Sequence, residues 1–156
     1  MINIIYSDMI LSNEILNSSI FKVFLAGPTP RTTEIISWRI NALNIINLNI
    51  KKDIIIYIPE RTNWKIKFEY IDQIEWELTA MKNADKIIFW IPRELKYMPA
   101  FTTNVEFGMK IIECPEKILY GRPNDAPNNK YLDYLYKKYT NNIPINSLYE
   151  LVSQIF

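Results

Sequence analysis

The chain has 156 residues, 49% of them hydrophobic and 22% charged, with a formal net charge of +1. That fits a single domain over residues 1–156 and lacks the cationic excess that binding a phosphate backbone needs, so nucleic acid is not an expected partner. With no histidine, one cysteine and three glycines, catalytic imidazole, Cys-His pairs and His-ligated metals are excluded, and a GxGxxG loop would use every glycine.

In chain order, Ile2 to Tyr6, within residues 1–20, reads as an extra edge strand. Phe21 to Ala26 is the first clear strand and runs into Gly27-Pro28. Ile35, Ile36, Ile40, Ala42, Leu43 and Ile46 recur at helical spacing and predict a helix over Thr32 to Leu48. Ile54 to Ile58 is a continuous apolar run, as in a strand covered on both faces, and Pro59 stops it. Ile71, Ile74, Leu78 and Met81 form the inward stripe of a helix over Tyr70 to Asn83, with Trp76 pointing away from it. Lys86 to Ile91 reads as a central strand, ended by Pro92, and Pro92 to Phe101 as a loop. A helix from Asn104 to Glu113, a strand from Lys117 to Tyr120 and a loop from Arg122 to Asn129 follow. Helical pieces at Tyr131 to Tyr139 and Leu148 to Ile155 flank a candidate last strand, Ile143 to Ile145. This alternation predicts an α/β, flavodoxin-like doubly wound, mainly parallel five-stranded sheet with helices on both faces. Ligands of such folds bind beyond the carboxyl ends of the strands, which makes Gly27 to Arg31 and Pro92 to Thr103 the candidate site walls.

No uninterrupted apolar run approaches the ~20 residues of a membrane span. Asp8, Asn13 and Glu14 break up the first residues, and no Lys or Arg precedes them, unlike a secretory signal. Lone Cys114 offers no disulfide within the chain. A cytoplasmic protein without a membrane partner is the expectation.

Chemistry must then come from carboxylates, amines, hydroxyls, amides and backbone dipoles. Thr103-x-x-Glu106 matches a capping box at a helix start. The same placement would hold Glu106 ionised by the helix dipole, as displacement at a sugar carbon requires. Both readings stand at this point. Gly108, at a cost of about 1 kcal/mol inside a helix, fits either close approach of a backbone or ligand or ordinary packing. In the first loop Gly27 permits a turn, Pro28 and Pro30 stiffen it, Thr29 can cap, and amides at the following helix start attract anions. Arg31 is either a donor for phosphate or carboxylate or a solvated charge. Glu77 borders the apolar stripe beside Gln73, Met81 and Ala84, where it is either a proton donor or simply solvated. Asp85 is read as structural. Trp38, Trp64, Trp90 and Phe101 are either stacking partners for a heterocyclic base or core.

Taken together, Phe24-Leu25-Ala26-Gly27-Pro28-Thr29-Pro30-Arg31, Ser37-Trp38-Arg39, Gln73-Ile74-Glu75-Trp76-Glu77, Ala84-Asp85, Phe89-Trp90-Ile91-Pro92-Arg93 and Thr102-Thr103-Asn104-Val105-Glu106-Phe107-Gly108 resemble the nucleoside 2-deoxyribosyltransferase-like family. The likeness runs from about Phe21 to Gly121. It implies an N-glycosyl transferase or hydrolase for a small-molecule nucleoside or nucleotide, needing no cofactor or metal. Glu106 matches the family's nucleophile, which attacks C1′ of a 2′-deoxynucleoside to give a covalent deoxyribosyl-enzyme that a second base or water resolves. Glu77 falls where it can assist protonation of the leaving base. Gly27, Pro28, Thr29, Arg31, Trp38, Trp90, Thr103 and Asn104 are the implied substrate-binding residues.

Two departures from the family pattern bear on activity: Phe24 replaces a tyrosine that orients the nucleophile, and Ala100 replaces an aspartate that serves the base. The proline-rich first loop with Arg31 suits a phosphorylated substrate, as in related deoxynucleoside-monophosphate N-glycosidases. The alternative is a non-catalytic nucleotide-binding sensor or sequestering protein. Relatives complete their pockets with a neighbouring subunit, so a homo-oligomer is expected, with Tyr131, Tyr134, Tyr136 and Tyr139 as interface candidates.

Overall fold

Runs with no polar face build the centre of this molecule. Ile54–Ile58 is buried at every position and Phe21–Ala26 from Lys22 onward, which is what strands covered on both sides require. The computed structural model describes residues 1–156 apart from Trp64, Ile66 and Phe68. In chain order it comprises β1 (Ile2–Tyr6), α1 (Asn13–Asn17), β2 (Phe21–Ala26), α2 (Trp38–Asn49), β3 (Ile54–Ile58) and α3 (Tyr70–Asn83). Then come β4 (Lys86–Trp90), α4 (Phe101–Glu113), a 3-10 turn (Pro115–Lys117), β5 (Ile118–Gly121), α5 (Lys130–Thr140) and α6 (Leu148–Ser153).

The five strands lie in the order β1-β3-β2-β4-β5, every pair parallel. The chain steps from β2 to β3 on one side, then crosses back over β2 to β4 on the other. The strand order therefore reverses at β2 and β4, whose carboxyl ends separate to leave a crevice. In register, Ala26 pairs with Phe89, so the crevice opens beyond Gly27 and Trp90.

Each face has its own core. On one, α3, α4 and α5 cover the sheet through an aromatic ladder. Phe107 meets Phe89 edge-on with centroids 5.1 Å apart and Tyr120 at 5.0 Å, and Tyr120 meets Tyr136 at 5.4 Å. On the other, Trp38, Ala42 and Ile46 of α2 and Leu151 and Val152 of α6 pack against Val23, Leu25, Ile56 and Ile88.

The doubly wound sheet is as expected, and Ile2–Tyr6 is the edge strand. The fifth strand therefore lies at the amino end. At Ile143 to Ile145 the chain forms only a single bridge, from Ile145 to Gly121, because Pro144 has no N–H for a ladder.

Three local expectations need correction. The helix after β2 begins at Trp38 rather than Thr32, with Ser37 as its cap accepting from the Arg39 amide, so 31–37 is an irregular loop and Ile36 is exposed. No helix start stands behind Thr29 to attract an anion. On α3, Met81 is buried and Leu78 packs against the core as expected, but Ile71 is 70% exposed and Trp76, expected to point away, is buried. The indole fits between Phe24 and Tyr57 and donates to the Met9 carbonyl at 3.0 Å; a tryptophan has more surface to bury than an isoleucine, and it wins the inward position. Finally, α4 starts at Phe101, three residues before Asn104. Its cap is Ala100 in the left-handed conformation (φ 60°, ψ 38°) with no side-chain cap. The capping box is therefore not formed: Thr103 and Glu106 sit inside the helix.

Candidate active site

Glu106 stands in the second turn of α4. Its neighbour Phe107 is locked into the aromatic ladder, which turns the Glu106 carboxyl toward the crevice. The crevice is a cleft of about 180 Å³ walled by Gly27, Pro28, Thr29 and Arg31 after β2, Pro59 after β3, Gln73 and Glu77 on α3, and residues 99–103 at the start of α4. Two carboxyls from different helices thus meet at the carboxyl edge of the sheet.

They line the same cleft, near enough to interact electrostatically. Burial first, and then the adjoining Glu77, push the Glu106 carboxyl well above its ordinary range, while the Arg39 guanidinium pulls the other way. Two neighbouring carboxyls cannot both ionise cheaply, so Glu106 holds its proton to a higher pH than an isolated carboxyl does. The expectation of a Glu106 held ionised in the first helical turn is overturned: it lies beyond that turn, and its environment favours the protonated form.

A chain of polar contacts fixes the pair. Gln73 Nε2 donates to Glu77 Oε1 at 2.9 Å and to the Pro59 carbonyl at 3.3 Å. Arg61 donates to Gln73 Oε1 at 2.8 and 3.0 Å, which sets the orientation of the amide. Beneath the cleft lies Arg39, its side chain 1% exposed. It donates to the carbonyls of Leu25 (2.9 Å) and Gly27 (2.6 Å), to Thr29 Oγ1 (3.2 Å) and to Glu60 Oε1 (2.7 Å). Burial lowers its pKa, and Glu60, Glu106 and Glu77 counter that. One buried guanidinium thus shapes the first loop and supplies positive potential to the carboxyl pair.

The first loop is held closed. Gly27, at φ 149°, has no room for a side chain: a Cβ there would lie 2.2 Å from the Trp90 carbonyl and 2.8 Å from the Trp38 ring. The Pro28 carbonyl accepts from Trp38 Nε1 at 3.1 Å. The Arg31 amide donates to the Tyr97 carbonyl at 3.0 Å, and its guanidinium lies 5.9 Å from the Phe101 ring centre, so the two site loops touch across the mouth.

Of the residues expected at the site, Glu106, Glu77, Gly27, Pro28, Thr29, Arg31 and Thr103 do line the cleft. Trp38 and Trp90 instead form the core beneath it, each 6% exposed. Asn104 is engaged by Arg93, which donates to its Oδ1 at 2.7 Å and also to the Pro99 carbonyl, clamping the loop onto α4. Phe101 is the aromatic that faces the cleft, and Trp64 lies outside the described residues. Phe24 is fully buried against Trp76. A Cβ on Gly108 would meet nothing within 4 Å, so no close approach accounts for that glycine. Sequence reading missed Gln73, Arg39 and Glu60 as site residues. The spacing of Gln73 and Glu77, four apart on one helix, and the place of Glu60 directly beyond a strand end were the available signals.

Among the described residues no group of three or more His, Cys, Asp or Glu could hold a metal ion, and no helix is long and apolar enough to cross a membrane. A doubly wound parallel sheet with a carboxyl pair at its switch point defines an α/β domain with a carboxylate-based site. Residues 20–123 match the family model described as nucleoside 2-deoxyribosyltransferase like, and the chain belongs to that family. The matched span contains β2 through β5 and the cleft residues named above; β1, α1, α5 and α6 lie outside it. No curated protein matches the chain.

Proposed function

We propose that this chain cleaves or exchanges the N-glycosidic bond of 2′-deoxynucleosides or their monophosphates through a covalent ester on Glu106. The observation that carries this reading is the placement of Glu106 and Glu77, two half-buried carboxyls from different helices, in one cleft at the switch point. The Glu106 proton first passes to Glu77; the Glu106 carboxylate then attacks C1′, the C1′–N bond breaks, and the departing base takes the proton from Glu77. In the second half-reaction a base or water attacks C1′, the ester bond breaks, and Glu77 recovers the proton from the incoming nucleophile. Gln73 holds Glu77 in place for both transfers, and Arg39 favours the Glu106 anion. The missing aspartate at Ala100 leaves proton transfer to this one dyad.

Arg31 at the cleft mouth supports a phosphorylated substrate, since a guanidinium there can pair with a 5′-phosphate. Incubation with deoxynucleosides and their monophosphates, followed by chromatography for released or exchanged base, tests the reading. Turnover that Glu106→Ala leaves intact would refute the mechanism. Tight binding of every ligand without product would favour a sensor.

We also propose that the chain self-associates and works in the cytoplasm, where its unpaired Cys114 would stay reduced. Phe101, Val105, Met109 and Ile112 form an exposed apolar stripe along α4, and Tyr131, Tyr134 and Tyr139 are exposed on α5, whereas Tyr136 belongs to the core. Such a surface is covered at low cost by a second copy.

A further inference from the structure

Beside the Glu106 cleft, and sharing Thr29 and Arg31 with it, runs a second and larger groove of about 620 Å³. Its walls are mainly carbon, from Pro30, Ile35 and the Thr32 and Thr33 side chains, and Ser37 and Glu60 supply polar groups. On the reading that Glu106 receives the sugar, the small polar cleft suits deoxyribose and the adjoining apolar groove suits a flat heterocycle.

Glu60 is held in that wall from both ends. Its backbone carbonyl accepts from the amide and hydroxyl of Ser7, each at 3.0 Å. Its carboxylate Oε1 accepts from Ser37 Oγ at 2.5 Å and Arg39 Nη1 at 2.7 Å. Among the described residues no donor reaches Oε2, although the side chain is only 18% exposed. A fixed carboxylate with one committed and one open oxygen is a hydrogen-bond acceptor of defined direction, and it repels a carbonyl oxygen placed in the same spot.

We propose that Glu60 selects the nucleobase, its Oε2 accepting a hydrogen bond from the exocyclic amino group of an amino-bearing base. The proposal rests on the glycosyl-transfer reading above. It makes Glu60 a specificity determinant, separate from the dyad that breaks the bond.

Glu60→Gln gives the test its direction. Ser37 and Arg39 both donate to the Oε1 position, so the amide oxygen must sit there and the amide nitrogen must take the place of Oε2. An acceptor becomes a donor, and the preference should turn toward bases that present a carbonyl at the same position.

The experiment measures kcat/KM for deoxycytidine against deoxyuridine and for deoxyadenosine against purine 2′-deoxyriboside, which lacks the amino group, with wild type and Glu60→Gln. Wild type should favour the amino-bearing member of each pair by about tenfold or more, and Glu60→Gln should abolish or invert the cytidine-over-uridine ratio. Purine 2′-deoxyriboside, which offers neither group, is the reference against which the rates of each protein are normalised. Equal wild-type rates within each pair, or a ratio that survives the substitution, would overturn the proposal. If Glu60→Gln fails to fold, the wild-type ratios decide. If wild type turns over neither these four nor their 5′-monophosphates, the transfer reading fails instead. Dissociation constants for the same pairs, measured by calorimetry, then decide Glu60 by the same ratios.

Discussion

Replacing Glu106 with glutamine should abolish turnover and, at the same time, stabilise the fold. Glu106 is inside the protein with Glu77 against it. Two carboxylates about 4 Å apart repel by roughly 4 kcal/mol at an effective dielectric near 20. Arg39 offsets part of this, and the proton held by Glu106 avoids part of it, so a net gain of about 2 kcal/mol is expected on removing the charge. For a chain of this size that corresponds to a rise in Tm of about 4–8 °C. The gain must depend on pH. Folding raises the Glu106 carboxyl above its ordinary 4.5, so between that value and the raised one the folded chain holds a proton the unfolded chain has released. Wild-type stability is therefore full at acid pH and declines as pH rises through the interval, whereas the amide variant suffers no such loss. Thermal melts of both proteins across a pH series should diverge as pH rises and then run parallel. A variant less stable than wild type above neutrality, or a difference that does not change with pH, would refute the assignment of a protonated buried pair.

Glu106→Ala should lower deoxynucleoside turnover by about a thousandfold or more in a chromatographic base-release assay, since the covalent step is lost. The glycines should respond in opposite senses. Gly27→Ala meets a backbone oxygen at 2.2 Å and should cost about 2–4 kcal/mol, whereas Gly108→Ala meets open space and should gain about 0.5–1 kcal/mol, both read by urea denaturation. Arg39→Met leaves Glu60 without its cationic partner and takes the guanidinium donor from the carbonyls of Gly27 and Leu25, and should cost about 3–5 kcal/mol in the same assay. Arg39→Lys should recover less than half of that, because an ammonium cannot span the fork of acceptors. Light scattering should show a species larger than the monomer, and Val105→Glu, placed in the exposed stripe of α4, should dissociate it.

The sheet was legible because its strands are coded locally. Ile54–Ile58 is apolar throughout and Lys86–Trp90 is so from Ile87 onward, so their pattern and their length both point to covered parallel strands. Helix faces were less legible, for a physical reason. In Tyr70–Asn83 both candidate stripes carry apolar residues, and the one that faces inward is decided by where Phe24 and Tyr57 leave room for an indole, which is a fact of tertiary packing. The start of α4 was misplaced likewise. Thr103 and Glu106 have the spacing of a cap, but Arg93, ten residues upstream of Thr103, pulls the Pro99 carbonyl and Asn104 together and starts the helix at a left-handed alanine.

That displacement bears on the chemistry. A carboxylate in the first turn would be stabilised as an anion by free amides and would make a poor partner for a shared proton. Moved one turn deeper, Glu106 loses those amides and gains Glu77, and the electrostatic problem becomes one of two carboxyls and one buried cation. In that setting Arg39 matters twice. It ties the Gly27 and Thr29 turn to the sheet, and it is the cation whose field reaches Glu60, Glu77 and Glu106. On the proposed mechanism a chain without histidine moves its proton between carboxyls alone, and burial together with the adjoining Glu77 is what pushes the Glu106 carboxyl upward. The cost of keeping the pair buried is the stability that Glu106→Gln is expected to return.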